Sequence, residues 1–239
     1  MARRTKRAQP SVIDADSVVA TLRRLANKKT LDGMARYAIP SDNAFGVPVN
    51  VMQKLAKKLG RHHLLAADLW ATGWYEARML ACFLDEPERV TAAQMERWCR
   101  DFDSWAICDT ACFHLFDRTP YAWRKVEQWA SRDEEFVKRT SFALMACLAL
   151  HNKTADDEWF AECLPLIERA ADDDRNFVKK GVSWALRSIG RRSLELHRAA
   201  VALAQGLAIS KERSARWIGK DALRDLKKPA VVKRLKAPA

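Results

Sequence analysis

The sequence predicts an all-α protein: a curved α-solenoid of stacked helix pairs with a basic concave groove. Three observations carry this expectation. Apolar residues recur at three- and four-residue spacing, with no sustained alternation of β-branched residues. Only 8 Gly and 8 Pro interrupt the 239 residues, so the connections must be tight. A segment beginning at Phe136, FVKRTSFALMACL, returns at Phe177 as FVKKGVSWALRSI, an offset of 41 residues that suits a repeated pair of helices.

Taken in order, helices are expected near 11–28, 48–59, 62–71, 74–84, 91–101, 105–116, 120–131, 134–150, 156–171, 176–190, 194–207 and 213–226. Pro48, Thr91 and Pro120 stand where helices should start, and Gly60 and Gly190 where they should end. The 41-residue offset falls within the ~40–47-residue period of HEAT-type helical pairs. Looser echoes, YEARMLACFL from Tyr75 and RSARWIGKDALRDL from Arg213, carry the same basic-then-apolar helix to both sides. The expected organisation is a basic tail over 1–10, one HEAT-like repeat domain over 11–227 and a second basic tail over 228–239.

Composition narrows the function. A hydrophobic content of 49% suffices for a real core, and no apolar run approaches the roughly 18–20 residues of a membrane-spanning helix. No apolar stretch follows MARRTKRAQP, so no secretory signal is expected and the cytoplasm is the expected location, with the nucleoid if the source is bacterial. The six cysteines fall in apolar helical patterns without a CxxC pair and read as reduced, packed thiols. Cys108, Cys112 and His114 lack a fourth ligand at workable spacing, so no metal site is expected. His62 and His63 have no partners for a nucleophilic triad, and no phosphate-binding glycine loop is present.

Lys and Arg number 42 against 30 Asp and Glu, a net charge of +12 that favours a polyanionic partner. The charges align on helical faces. In the 176–190 helix, Val178, Val182, Ala185 and Ile189 form an apolar stripe, and Lys180, Trp184, Arg187 and Arg191 form the stripe beside it. Arg213, Arg216, Lys220 and Arg224 repeat the arrangement, Lys54, Lys57, Lys58 and Arg61 offer another, and Arg139 occupies the position equivalent to Lys180. If equivalent helices line one wall, these stripes merge into a groove suited to duplex phosphates, carrying little sequence information. Within DFDSWAICDTACFHLF, Trp105 and Asp109 stand one helical turn apart on one face and can address the core, a partner or a substrate.

The run from Asp101 to Lys153, with DDDRNFVKKGVSWALRSIGRR and ARWIGKDALRDL, resembles the AlkD-like DNA alkylation repair family, the HEAT-repeat alkylpurine DNA glycosylases. The similarity covers roughly Met34 to Leu226. It implies hydrolysis of the N-glycosidic bond of positively charged N3- or N7-alkylated purines, with no metal or organic cofactor and the duplex in the concave groove. By the same resemblance the catalytic acid falls on Asp109, its paired tryptophan on Trp105, a second tryptophan on Trp184 and the active-site arginine on Arg139. Phe177 matches one aromatic of a family pair beside the DNA, but its neighbour is Asn176; Ala106 stands where many relatives carry an acid.

The sequence therefore predicts a monomeric base-excision-repair glycosylase acting on double-stranded DNA containing alkylated purines. Asp109, Trp105, Trp184 and Arg139 are the expected catalytic residues, and Phe177, Lys180, Arg187, Arg191, Arg213, Arg216 and Lys220 the expected DNA contacts. The rival reading is a non-catalytic HEAT-like module that binds DNA or serves as a protein scaffold.

Overall fold

The structure, a computed structural model, describes residues 13–236. The basic N-terminal tail expected over 1–10 lies outside them, as do the last three residues of the C-terminal one. Among the described residues there are fourteen α-helices, two short 3-10 turns and no strand. The chain divides into two compact units, one of residues up to Ala35 with Ser41–Asp85, the other of Arg36–Pro40 with the chain from Glu86 onward.

In the first unit, Asp14 caps α1 (Ala15–Arg24) by accepting the Ser17 N–H. One helix is expected over 11–28 from the sequence, but the helix stops after Arg24. Asn27 is extended, with φ −135° and ψ 108°, and its side chain accepts the Thr30 N–H to begin α2 (Lys28–Met34). Next come α3 (Val49–Leu59), α4 (His63–Ala71) and α5 (Tyr75–Leu84), with α3 and α4 packed on α5. Gly60 closes α3 at φ 73°, as its position predicts. The Glu76 carboxylate of α5 is fully buried and accepts three successive backbone N–H groups, from Phe45, Gly46 and Val47, at 2.7–3.1 Å. Gly46 is required there: its φ is +75°, and a Cβ would stand 2.5 Å from the Asn27 carbonyl oxygen. Both histidines of the 62–63 pair are structural. His62 Nδ1 accepts the Leu65 N–H to cap α4, and His63 Nδ1 meets Asp85 at 2.6 Å.

The second unit holds α6 (Ala92–Arg100), α7 (Trp105–His114), α8 (Ala122–Ala130), α9 (Glu135–His151), α10 (Asp157–Arg169), α11 (Asn176–Ile189), α12 (Leu194–Ala208), α13 (Arg213–Leu226) and α14 (Pro229–Lys236). Thr91 caps α6, as expected, by accepting the Gln94 N–H. Helices α7, α9, α11 and α13 lie side by side in that order, with α8 against α9 and α12 against α13. The central helix α9 is buried from Ser141 to Ala149 without interruption, the pattern of a helix covered on all sides. The 41-residue repeat is visible as a contact: Phe136 and Phe177, each the second residue of its helix, stack with ring centroids 5.4 Å apart. All six cysteines are buried and unbridged, and Cys108 Sγ lies 3.3 Å from Thr140 Oγ1 between α7 and α9. Residues 229–236, read in the sequence as part of a loose tail, form α14. Pro229 opens it at the helix position proline tolerates best, and Val231 anchors it by burial.

Helices α12 and α13 approach closely at Gly219, where a Cβ would stand 2.4 Å from the Ala208 backbone nitrogen. Gly206, within α12, faces open space. Gly219→Ala should therefore destabilise the protein by about 1–3 kcal/mol through overpacking. Gly206→Ala should stabilise it by about 0.5–1 kcal/mol through helix propensity. Opposite shifts in melting temperature are expected; equal shifts would contradict the packing described.

Candidate active site

Matched register builds the site. Asp109, Arg139 and Lys180 are each the fifth residue of their helices, α7, α9 and α11. Because these helices run side by side with their first turns level, the three side chains reach the same cavity of 480 Å³, which Trp105 and Phe177 also line. First-turn residues of α7 (Trp105) and α11 (Asn176, Phe177) line it, and helix N-termini favour anions.

Asp109 is the one acid in the cavity lining. Arg139 holds it bidentately, with Nε donating to Oδ1 at 3.0 Å and Nη2 to Oδ2 at 2.7 Å. The remaining guanidinium arm donates from Nη1 to the Phe177 carbonyl oxygen at 2.6 Å, tying α9 to α11. Only 6% of the Arg139 side chain is exposed, against 21% of Asp109, so the arginine forms the floor and the acid faces the opening. Burial pushes the Asp109 carboxyl above the ordinary carboxylate range, and the Arg139 guanidinium opposes that shift. Burial also works against the Arg139 charge, but Asp109 together with Cys108 and Cys112 outweighs it and leaves the guanidinium raised. With both oxygens accepting from a guanidinium, this geometry holds the carboxylate form.

Trp105 opens α7 and donates from Nε1 to the Tyr37 carbonyl oxygen at 2.7 Å. This bond brings the 36–38 segment into the lining, where sequence reasoning places no element. Ala38 there has φ 52°, a left-handed conformation that costs a residue with a Cβ on the order of 1 kcal/mol. Neither a backbone carbonyl nor a dihedral leaves a signature in residue type, so these positions are not legible in the sequence.

The other expected residues are distributed more widely. Trp184 is half-buried one turn beyond Lys180 on α11 and is not in the cavity lining. Lys180 is exposed and has no hydrogen-bond or ion-pair partner among the described residues. Arg213 and Lys220 on α13 are likewise exposed. Arg187 is engaged within the protein, its Nε 3.2 Å from the Ser183 carbonyl oxygen and 3.5 Å from Asp221 Oδ2. Arg216 donates to the carbonyl oxygens of Ser210 and Lys211 ahead of α13. Arg191 pairs with Asp225 and lines a different cavity. Trp217, the fifth residue of α13, continues the row and lies under Lys179 at 5.0 Å.

Comparison with known proteins supplies the family. The family model described as DNA alkylation repair enzyme matches residues 18–226, most of the chain. The chain belongs to the DNA alkylation repair enzyme family. No curated protein sequence matches this family member. Among solved structures, one described as "a new family of proteins related to the HEAT-like repeat DNA glycosylases with affinity for branched DNA structures" superposes with a TM-score of 0.75. The alignment covers 89% of this chain and 95% of that one at 18% identity, which shows the shared HEAT-like repeat fold. A designed armadillo repeat protein aligns over 83% of this chain and 100% of its own at 13% identity, with a TM-score of 0.33. No helix among the described residues of this alkylation-repair family member is long and apolar enough to cross a membrane.

The Trp105–Tyr37 bond can be removed alone. Trp105→Phe keeps an aromatic ring but loses the donor, so hydrogen exchange at the amides of residues 36–39 should quicken about threefold to tenfold, the worth of one hydrogen bond. Unchanged exchange there would show that the bond does not hold the segment.

Proposed function

We propose that this alkylation-repair family member is a DNA glycosylase that hydrolyses the N-glycosidic bond of positively charged N3- or N7-alkylated purines in duplex DNA. The observation that supports it most is the single acid of the cavity, Asp109, gripped by a buried Arg139 and set beside an indole and an unpaired lysine. An alkylated purine is already cationic and leaves without protonation, so the barrier lies in the oxocarbenium character developing on the sugar. A fixed carboxylate and an indole face stabilise that charge. The C1′–N bond breaks with its electron pair passing to the purine, which leaves neutral. A water oxygen then bonds to C1′ and releases its proton to Asp109 or to solvent. One carboxylate suffices, unlike the two that sugar hydrolases use.

In this scheme Arg139 is a positioning residue that fixes the acid, Trp105 faces the sugar and Lys180 grips a flanking phosphate. Trp184 keeps the role suggested by the resemblance only if DNA binding turns α11's exposed face toward the sugar. A second reading, DNA binding without excision, draws support from the solved relative described as having affinity for branched DNA.

The test is incubation of excess protein with a duplex carrying one 7-methylguanine under single-turnover conditions, scoring free base and abasic site. Release is expected, also in the presence of a chelator. Asp109→Asn should slow it about 10²- to 10³-fold while duplex affinity holds or rises, because an acid facing phosphates repels them. Intact substrate with tight duplex binding would leave the second reading.

A further inference from the structure

A second cationic cavity lies at the opposite end of α11, with a volume of 710 Å³ and a lining that includes Lys153, Arg191, Arg192 and Arg234 with Asp156 and Asp157. Its four cations come from three places: the loop after α9, the end of α11 and α14. Arg192 is the fixed member. It is 8% exposed, lies over the Phe160 ring at 3.9 Å, donates to the carbonyl oxygens of Ala149, Asn152 and Ala155, and pairs with Asp157 at 3.3 Å. Arg234 is exposed, and among the described residues Nη2 donates to the Arg191 carbonyl oxygen at 2.7 Å. Lys153 is exposed and has no hydrogen-bond or ion-pair partner among the described residues.

We propose that this cavity is a second nucleic-acid backbone site, in which Lys153 and Arg234, beside the Asp225-paired Arg191, hold phosphodiester oxygens remote from Asp109. Two features favour an extended polyanion. The stretch from 227 to 236 adds Lys227, Lys228, Lys233 and Lys236 to Arg234 and contains no acid, so the positive surface runs well past the cavity. No aromatic side chain lines the cavity, so it offers a base nothing to stack on and suits backbone alone. Burial, together with Arg192 and Arg234, already holds the Lys153 amine below its ordinary value, a like-charge strain that a bound phosphate would relieve. Lys180 lies nine residues before Ile189, the last residue of α11, or about 14 Å along the helix, and Arg191 lies beyond that end, so the two cavities meet different phosphates. The proposal rests on the DNA-binding part of the reading above and not on excision.

The test uses the full chain and an undamaged duplex. The double variant Lys153→Gln/Arg234→Gln should weaken binding roughly tenfold near 0.1 M salt and lower the slope of log affinity against log salt by about two, near 0.9 for each phosphate no longer neutralised. Both side chains are exposed, so the melting temperature should hold. Unchanged affinity and slope in a folded variant would overturn the proposal. Titration of inorganic phosphate by calorimetry separates the sources. If the wild type binds phosphate tightly, the variant does not, and duplex affinity is the same for both, the cavity serves a small phosphorylated molecule and the backbone proposal is wrong. Because no base release is scored, failure of the glycosylase reading leaves this test intact.

Discussion

The ion pair between Asp109 and Arg139 is the constraint on which the second unit's chemistry depends. A guanidinium 6% exposed needs a counter-charge and partners for its donors, and here Asp109 supplies two acceptors and the Phe177 carbonyl a third. Those partners sit on α7 and α11, on either side of α9, so one side chain fixes three helices. That is possible only if the helices keep their register, and Phe136 stacked on Phe177 holds it at the first turn. Thr140, one residue past Arg139, donates back to the Phe136 carbonyl oxygen at 2.6 Å and meets Cys108 across the interface. The buried packing below thus sets the position of the acid above.

This arrangement trades stability for poise. Replacing both charges by packed apolar groups would often leave a core as stable or more so. The free energy of desolvating the pair is instead held in a carboxylate that is raised by burial, fixed in direction and open on one side. The first turns of α7 and α11 line the same cavity, and under the proposed function their dipoles would favour the phosphates that the single acid repels locally. Lys180, without an internal partner among the described residues, and the cationic cavity beyond the other end make α11 the element proposed to meet anions at both ends.

Much of the fold is legible in the chain. The spacing of apolar residues marks most of the helices, and the Phe136 and Phe177 segments mark the repeat because both must present the same face to the same neighbour. The break at Asn27 is not legible, since a capping asparagine inside an amphipathic stretch is ambiguous until tertiary contacts choose. Helix α14 escapes notice because basic composition hides one anchoring residue, Val231. At the site, the placing of Asp109 beside Arg139 depends on resemblance; the 30-residue separation is shorter than the repeat and carries no periodic signal. The cationic stripe is legible as a pattern but not as free charge. Whether Arg187 or Arg216 is engaged depends on Asp221 and on loop carbonyls, which helical spacing does not reveal.

Asp109 and Arg139 act as one unit, and a double-mutant cycle measures their coupling. Unfolding free energies of the wild type, Asp109→Asn, Arg139→Gln and the double variant give the coupling between the two side chains. A favourable coupling of about 1–3 kcal/mol is expected, as for a contacting, largely buried charge pair. Additive losses, with coupling near zero, would contradict it and leave the acid in the cavity without the support described.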